Sequence, residues 1–350
     1  MKNRTNLIGS APGHQLRATA EALFADDKGI LAMDESNATC NARFAKLEIP
    51  QTEEARREWR QLILTTPRIG EAISGVILYD ETLRQQTTDG TTFVKTITEA
   101  GIIPGIKVDT GAKDMAGRPG ERITEGLDGL RDRLAEYSKL GARFAKWRAV
   151  IAIGDQMPTE ACIEVNAHAL ARYAALCQEA GLVPMVEPEV LMDGAHTQAR
   201  NREVTEKLLH TVFQQLYTQR VAVDSLILKP NMVLPGLACP IQAEVEAVAE
   251  ETFNCFLRVV PAAVPGIAFL SGGQSGQLAS ARLNAMNVSF KLLSPWSLSF
   301  SFARAIQQPA LDIWAGQAAN VVAAQQALYH RASCNRAARR GEYNPAMEAT

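Results

Sequence analysis

The sequence predicts an α/β protein built as a single (β/α)8 barrel, and three observations carry that prediction. Eight short strand-like runs recur roughly 30 to 45 residues apart, each followed by a helical pattern. No GxGxxG follows the first run, which removes the main fingerprint of an open dinucleotide-binding sheet. Ionisable residues gather at the C-terminal ends of most runs, the face on which barrels build their sites.

The elements follow in order. An N-terminal extension of about 25 residues leads into GILAMDE (29–35), and SGVILYD (74–80), IIPGIKVD (102–109) and ARFAKWRAVI (142–151) come next. VPMVEPEVL (183–191), DSLILKPNM (224–232), GIAFLSGG (266–273) and WSLSFSFAR (296–304) complete the eight. Between them, Ala55, Trp59, Leu62 and Ile63 share one helical face, with Thr52 as cap and Pro67 as stop. Ile163, Ala167, Leu170 and Ala174 form a second stripe between Thr159 and Gly181, and Val204, Leu208, Val212 and Leu216 a third. The glycine-rich stretch 111–126 reads as a long loop after the third strand, a mobile rim element or, the favoured reading, a plain surface loop, and the alanine-rich stretch from Pro309 to about Arg339 as helix. No linker divides the chain. The expectation is one domain over 1–350, with a barrel core at about 28–305 and a C-terminal helix and tail at 309–350.

Composition excludes several classes. Apolar residues make up 47% and charged residues 21%, as in ordinary globular proteins, and a net charge of −2 gives no field for nucleic acid. No run approaches 18 apolar residues, so no membrane partner is expected. The N-terminus lacks the apolar core of a signal peptide, which makes cytoplasm the expected location, with a plastid left open for a chain that has lost a transit peptide. Six scattered cysteines read as reduced thiols, and five histidines without metal-ligand spacing give no argument for a metal or cofactor.

The chemistry lies at the strand ends. Asp34 closes the first run, Lys107 and Asp109 the third; Lys146 and Arg148 lie on the fourth, Glu187 and Glu189 on the fifth, Lys229 on the sixth. Ser271 ends the seventh, and Ser301 and Arg304 the eighth. Residues at i and i+2 share one side of a strand, so the three close pairs can all face inward. Any one of these charges alone is an ordinary solvated strand end. Together, in a barrel otherwise filled with branched apolar residues, they point to a site.

Lys229 follows the apolar run Leu226–Leu228 and precedes Pro230, which favours an extended backbone before it. A lysine snorkelling to water is the bland reading. Next to Lys146 and the glutamate pair, it reads instead as a nucleophile kept partly neutral by desolvation and a neighbouring cation. A neutral amine attacks a carbonyl to give a carbinolamine and then an iminium. Glu187 or Glu189 can supply the proton that expels water, and Asp34 or Glu187 can take a hydroxyl proton when a carbon–carbon bond breaks. The turn FLSGGQSG (269–276) exposes backbone N–H groups after the seventh strand, where barrels hold phosphate, and Arg304 can add charge there. Lys107, Arg148, Ser36 and Arg43 offer cations and a hydroxyl for a second phosphate at the opposite rim.

These residues resemble the class I, metal-independent fructose-1,6-bisphosphate aldolases. The resemblance rests on KGILAMDES (28–36), GIKVDTG (105–111), AKWRAVI (145–151), VEPEVL (186–191), LILKPNMV (226–233), FLSGGQS (269–275) and FSFARA (300–305). It implies reversible cleavage of fructose 1,6-bisphosphate to glycerone phosphate and glyceraldehyde 3-phosphate, without cofactor, in a homotetramer. By the same resemblance Lys229 is the Schiff-base lysine and Glu187 the general acid/base, with Asp34, Lys146 and Glu189 in support. Ser271, Gly272 and Arg304 take the C1-phosphate, and Ser36, Thr39 and Lys107 the C6-phosphate. Three positions depart from the family pattern. Ala303 stands where relatives often have glycine, Ala42 replaces a common lysine, and YNPAMEAT lacks the terminal tyrosine of familiar eukaryotic members. Two other readings stand beside this one: a different Schiff-base barrel lyase such as a transaldolase, and a non-catalytic scaffold barrel.

Overall fold

In the computed structural model, which describes residues 12–349, ten strands form: β1 (Gly29–Ala32), β2 (Ile73–Leu78), β3 (Ile103–Lys107), β4 (Gly111–Asp114), β5 (Arg122–Glu125), β6 (Phe144–Ile151), β7 (Val183–Val190), β8 (Ile227–Leu228), β9 (Gly266–Phe269) and β10 (Ser297–Phe302). Eight of them close into a barrel in the order β1-β10-β9-β8-β7-β6-β3-β2, and the barrel pairs are parallel. Every run expected from the sequence is a barrel strand. Helices fill the connections, and hydroxyl caps set where several begin. Thr52 Oγ1 accepts from Ala55 N at 3.1 Å, Thr159 Oγ1 from Cys162 N at 3.3 Å and Thr197 Oγ1 from Arg200 N at 3.2 Å. The three expected apolar stripes are buried on the helices Glu53–Leu64, Glu160–Glu179 and Gln198–Thr218.

Strand alternation sorts side chains into two cores. Outward residues such as Leu31, Val76, Ile106, Trp147, Val186, Leu228, Phe269 and Phe302 pack against the ring of helices. Inward residues Ile30, Ile77, Phe144, Met185, Ile227 and Ala268 fill the lower barrel, and Leu16, Ala20, Leu23 and Phe24 close its N-terminal end. Leu16 and Ala20 lie on the helix Pro12–Ala22, which thus stops the bottom of the barrel against water. The expected N-terminal extension is this helix; residues 1–11 lie outside the described part. The Phe144 ring needs a glycine opposite: a Cβ on its register partner Gly105 would sit 2.3 Å from it.

Two expectations are corrected. The stretch 111–126 is not a plain loop, because β4 and β5 pair as an antiparallel hairpin from Gly111 opposite Glu125 to Asp114 opposite Arg122. Its strands are short and polar, so no apolar run announces them; pairing and context decide such segments. The C-terminal stretch is two helices, Arg304–Trp314 and Val321–Arg340. Pro309 sits inside the first instead of starting it, and the break falls at Ala315 and Gly316, both at positive φ. Among the described residues no helix is long and apolar enough to cross a membrane.

Candidate active site

Along each inward face the side chains change from apolar to ionisable toward the strand's C-terminal end. Phe144 is followed by Lys146 and Arg148, Val183 and Met185 by Glu187 and Glu189, and Ile227 by Lys229. These ends surround a cavity of about 430 Å³. Asp34, Ser36, Thr39, Lys107, Lys146, Arg148, Glu187, Glu189, Lys229, Ser271, Gly272, Ser301 and Arg304 all line it.

At its floor four ionisable groups form a chain. Lys229 Nζ lies 3.1 Å from Glu187 Oε1, Lys146 Nζ lies 2.8 Å from Glu187 Oε2, and Lys146 Nζ donates to Asp34 Oδ2 at 3.0 Å. All four are at least nine-tenths buried. Burial raises the Asp34 carboxyl, but Lys146 and Lys229 outweigh it and hold the group at about 2. Burial likewise raises Glu187, and Lys146, Lys229 and Arg148 bring it below the usual carboxylate range. Burial lowers Lys146, and Asp34 and Glu187 more than reverse this, so its ammonium is strongly retained. The bare neighbouring cation expected beside Lys229 is therefore not bare: two carboxylates flank Lys146, and one of them also reaches Lys229.

The remaining charges pair above this floor. Arg148 Nε meets Glu189 Oε2 at 2.5 Å, and Lys107 Nζ meets Asp109 Oδ1 at 3.0 Å and lies 5.9 Å from the Tyr79 ring centroid. Asp109 also accepts the Gly111 N–H at 3.1 Å and the Arg148 N–H at 3.2 Å, which ties the hairpin to the strand ends. Across the barrel, Gly272 and Gly273 take positive φ after Ser271, and a Cβ on Gly272 would lie 2.9 Å from Met192 Sδ. Ser275 caps the following helix, Gly276–Phe290, by accepting from Leu278 N at 3.2 Å. Ser301 Oγ is buried at the cavity wall without a hydrogen-bond partner among the described residues.

Arg43 is not brought to the cavity. It turns to Glu35 Oε1 at 2.5 Å, Gln307 Oε1 at 3.1 Å and Gln308 Oε1 at 3.3 Å. Glu35 draws it: this carboxyl, raised by burial, is held low by Arg60 and Arg43. Sequence reasoning gave no role to Glu35 or Asp193, which line the cavity, or to Gly111 and Ala112 of the hairpin, and grouped Asp109 with the inward pairs without a role of its own. For Asp109 the signal was available, since it sits at i+2 from Lys107 on one strand face. Among the described residues, the one group of histidine, cysteine and carboxylate with ligand atoms within 4.8 Å is His330, Cys334 and Glu348, and none of them lines the cavity. Its Glu348 carboxylate is already taken by Arg331 and by the Tyr343 hydroxyl.

A closed parallel barrel with buried lysines and carboxylates converging on one face defines a (β/α)8-barrel enzyme. The sequence profile described as "Glycolytic: Fructose-bisphosphate aldolase class-I" matches residues 15–350, and the chain belongs to that family. A protein of Xanthomonas axonopodis pv. citri named "Probable fructose-bisphosphate aldolase class 1" is 55% identical over 330 residues, which is 94% of this chain and 98% of that protein. The "Fructose-bisphosphate aldolase 5, cytosolic" of Arabidopsis thaliana is 50% identical over 94% of this chain and 91% of its own length. A solved fructose-bisphosphate aldolase of Plasmodium falciparum, crystallised with TRAP and a small-molecule inhibitor, superposes with a TM-score of 0.93 at 41% identity, covering 98% and 99% of the two chains.

Proposed function

We propose that this chain cleaves fructose 1,6-bisphosphate reversibly to glycerone phosphate and glyceraldehyde 3-phosphate through an iminium on Lys229. The observation that carries the reading is the buried pair Lys229–Glu187 at 3.1 Å, with Lys146 against the far oxygen of the same glutamate.

The pair explains how a charged lysine becomes a nucleophile. Substrate entry expels water, and desolvation penalises two separated charges more than a neutral amine and a neutral acid. The Lys229 proton moves to Glu187, and the free amine attacks the ketone carbon. The carbinolamine hydroxyl takes the proton from Glu187 and leaves as water, which gives the iminium and returns Glu187 to its carboxylate form. That carboxylate then removes the hydroxyl proton on the fourth sugar carbon. The bond between the third and fourth carbons breaks, its electrons pass into the iminium, and an aldehyde departs from the enamine. Protonation and hydrolysis of the enamine release the ketone product. Lys146, fixed by Asp34, holds Glu187 in reach throughout.

Phosphate recognition follows the strand ends. The Ser271–Gly273 turn and Arg304 suit the phosphate on the first carbon, and Ser36, Thr39 and Lys107 the phosphate on the sixth. This pair of anion sites favours the bisphosphate reading over a transaldolase, and the intact buried tetrad favours catalysis over a scaffold.

Borohydride reduction in the presence of glycerone phosphate tests the proposal. The expected product is one stable adduct whose peptide map places it on Lys229. An unmodified chain, or an adduct on another lysine with full activity retained in Lys229→Met, overturns it.

A further inference from the structure

The cavity is not a basic pocket. Five cations and six carboxylates line it, so a phosphate gains nothing from net charge and depends on which cations lack partners. Lys146 and Lys229 are held by Asp34 and Glu187. Arg148 is held by Glu189, Lys107 by Asp109, and Arg43, just outside, by Glu35. Arg304 alone among the lining cations has no ion pair or side-chain hydrogen bond among the described residues, and it is exposed at the rim.

The ring order gives this asymmetry a direction. β9 and β3 stand four places apart in a ring of eight, as do β10 and β6. The free arginine and the glycine turn follow β10 and β9, and directly opposite, the paired Lys107 ends β3 and the paired Arg148 lies on β6. Lys107 is fixed tightly: Asp109 holds its ammonium at 3.0 Å, the Tyr79 ring centroid lies 5.9 Å away, and the Asp109 side chain is nearly inaccessible. A phosphate arriving there must share Lys107 with a carboxylate that cannot move away, because two backbone N–H groups pin Asp109. Like-charge repulsion from Asp109 then offsets part of what Lys107 offers.

On the aldolase reading above, we infer that Asp109 is a specificity-determining residue that weakens recognition of the second phosphate, so that the site discriminates only modestly between fructose 1,6-bisphosphate and fructose 1-phosphate. The C1-phosphate carries most of the recognition through Arg304. The distal phosphate adds a small increment.

The experiment measures kcat/KM on both sugars for the wild type and for Asp109→Asn, Lys107→Met, the double variant and Arg304→Gln. Asp109→Asn should raise the bisphosphate-to-monophosphate ratio by about fivefold, the worth of one released charge-assisted contact. That gain should vanish in the double variant, because it acts through Lys107. A purely structural role for Asp109 would lower both substrates together and leave the ratio fixed. Independently of how Asp109→Asn folds, Lys107→Met should lower bisphosphate turnover by less than about tenfold, and Arg304→Gln should lower both substrates by at least about 100-fold. A fixed or lowered ratio in a folded Asp109→Asn, or equal losses from Lys107→Met and Arg304→Gln on the bisphosphate, overturns this inference alone. A wild type that cleaves neither sugar and forms no Lys229 adduct overturns the aldolase reading itself.

Discussion

Glu187 stands between two lysines, 3.1 Å from Lys229 Nζ through one oxygen and 2.8 Å from Lys146 Nζ through the other. On the proposed mechanism the first exchanges a proton with it, and the second holds it in place. Glu187→Gln keeps the shape and removes the basic oxygen, so it should slow both iminium formation and cleavage. General acid–base catalysis is worth about 10²- to 10⁴-fold, and a loss in that range is expected in kcat. Rapid-quench borohydride trapping should show the adduct on Lys229 forming more slowly by a similar factor. Trapping at the wild-type rate would remove Glu187 from the dehydration step.

Lys146 sits between Asp34 and Glu187 and neutralises both. Lys146→Met leaves the buried Asp34 without its ion-pair partner and Glu187 with Lys229 alone. Breaking a buried pair in this way costs about 3–5 kcal/mol, and the urea midpoint should fall accordingly. Adding Asp34→Asn removes the orphaned charge and should recover part of the stability. Activity should stay lost in the double variant, since Glu187 then lacks its positioning cation. Stability that does not recover would mean that packing, not charge, sets the cost.

The barrel was legible because its period is written twice, in the eight apolar runs and in the polar residues that end them. Lys229 and Glu187 could be read for the same reason, since each interrupts an apolar strand. The hairpin β4–β5 could not, because Gly111–Asp114 and Arg122–Glu125 carry no apolar face of their own. Partner choice was equally hidden. The sequence shows that Arg43, Arg148 and Lys107 are cations near the rim, and it does not show that Glu35, Glu189 and Asp109 have claimed them. Arg148 on β6 and Glu189 on β7 pair across neighbouring strands, which only the closed barrel fixes, and the local pairs Lys107–Asp109 and Arg43–Glu35 depend on side-chain directions that spacing alone does not give.

The lower barrel makes a prediction about packing. A Cβ on Gly105 would lie 2.3 Å from the Phe144 ring. Gly105→Ala therefore overpacks the barrel interior and should lower stability by about 1–3 kcal/mol, measured by chemical denaturation. Phe144→Leu in the same chain should return part of the loss. Phe144 and Lys146 share the inward face of β6, so Gly105→Ala should also reduce kcat more than KM as the floor shifts upward. Unchanged stability would mean that the ring has room to turn aside.

Acid should unfold the protein through the same tetrad. Asp34 titrates at about 2 in the fold against 3.8 when free, because Lys146 and Lys229 more than offset its burial. A lowered carboxyl stabilises the fold fully above its unfolded value and stops doing so as pH falls through its folded value. The window for Asp34 thus runs from about pH 4 down to about pH 2, and its contribution is on the order of 2 kcal/mol. Glu187 and Glu35 are lowered as well, so their contributions fade in the same direction. Unfolding free energies in urea at pH 6, 5, 4 and 3 should be level at the upper end and fall steeply toward the lower. Asp34→Asn should be less stable at pH 6 and flatter below pH 4, because it has no charge left to lose there. A variant whose curve runs parallel to the wild type down to pH 3 would show that Asp34 gives the fold no charge-dependent stability.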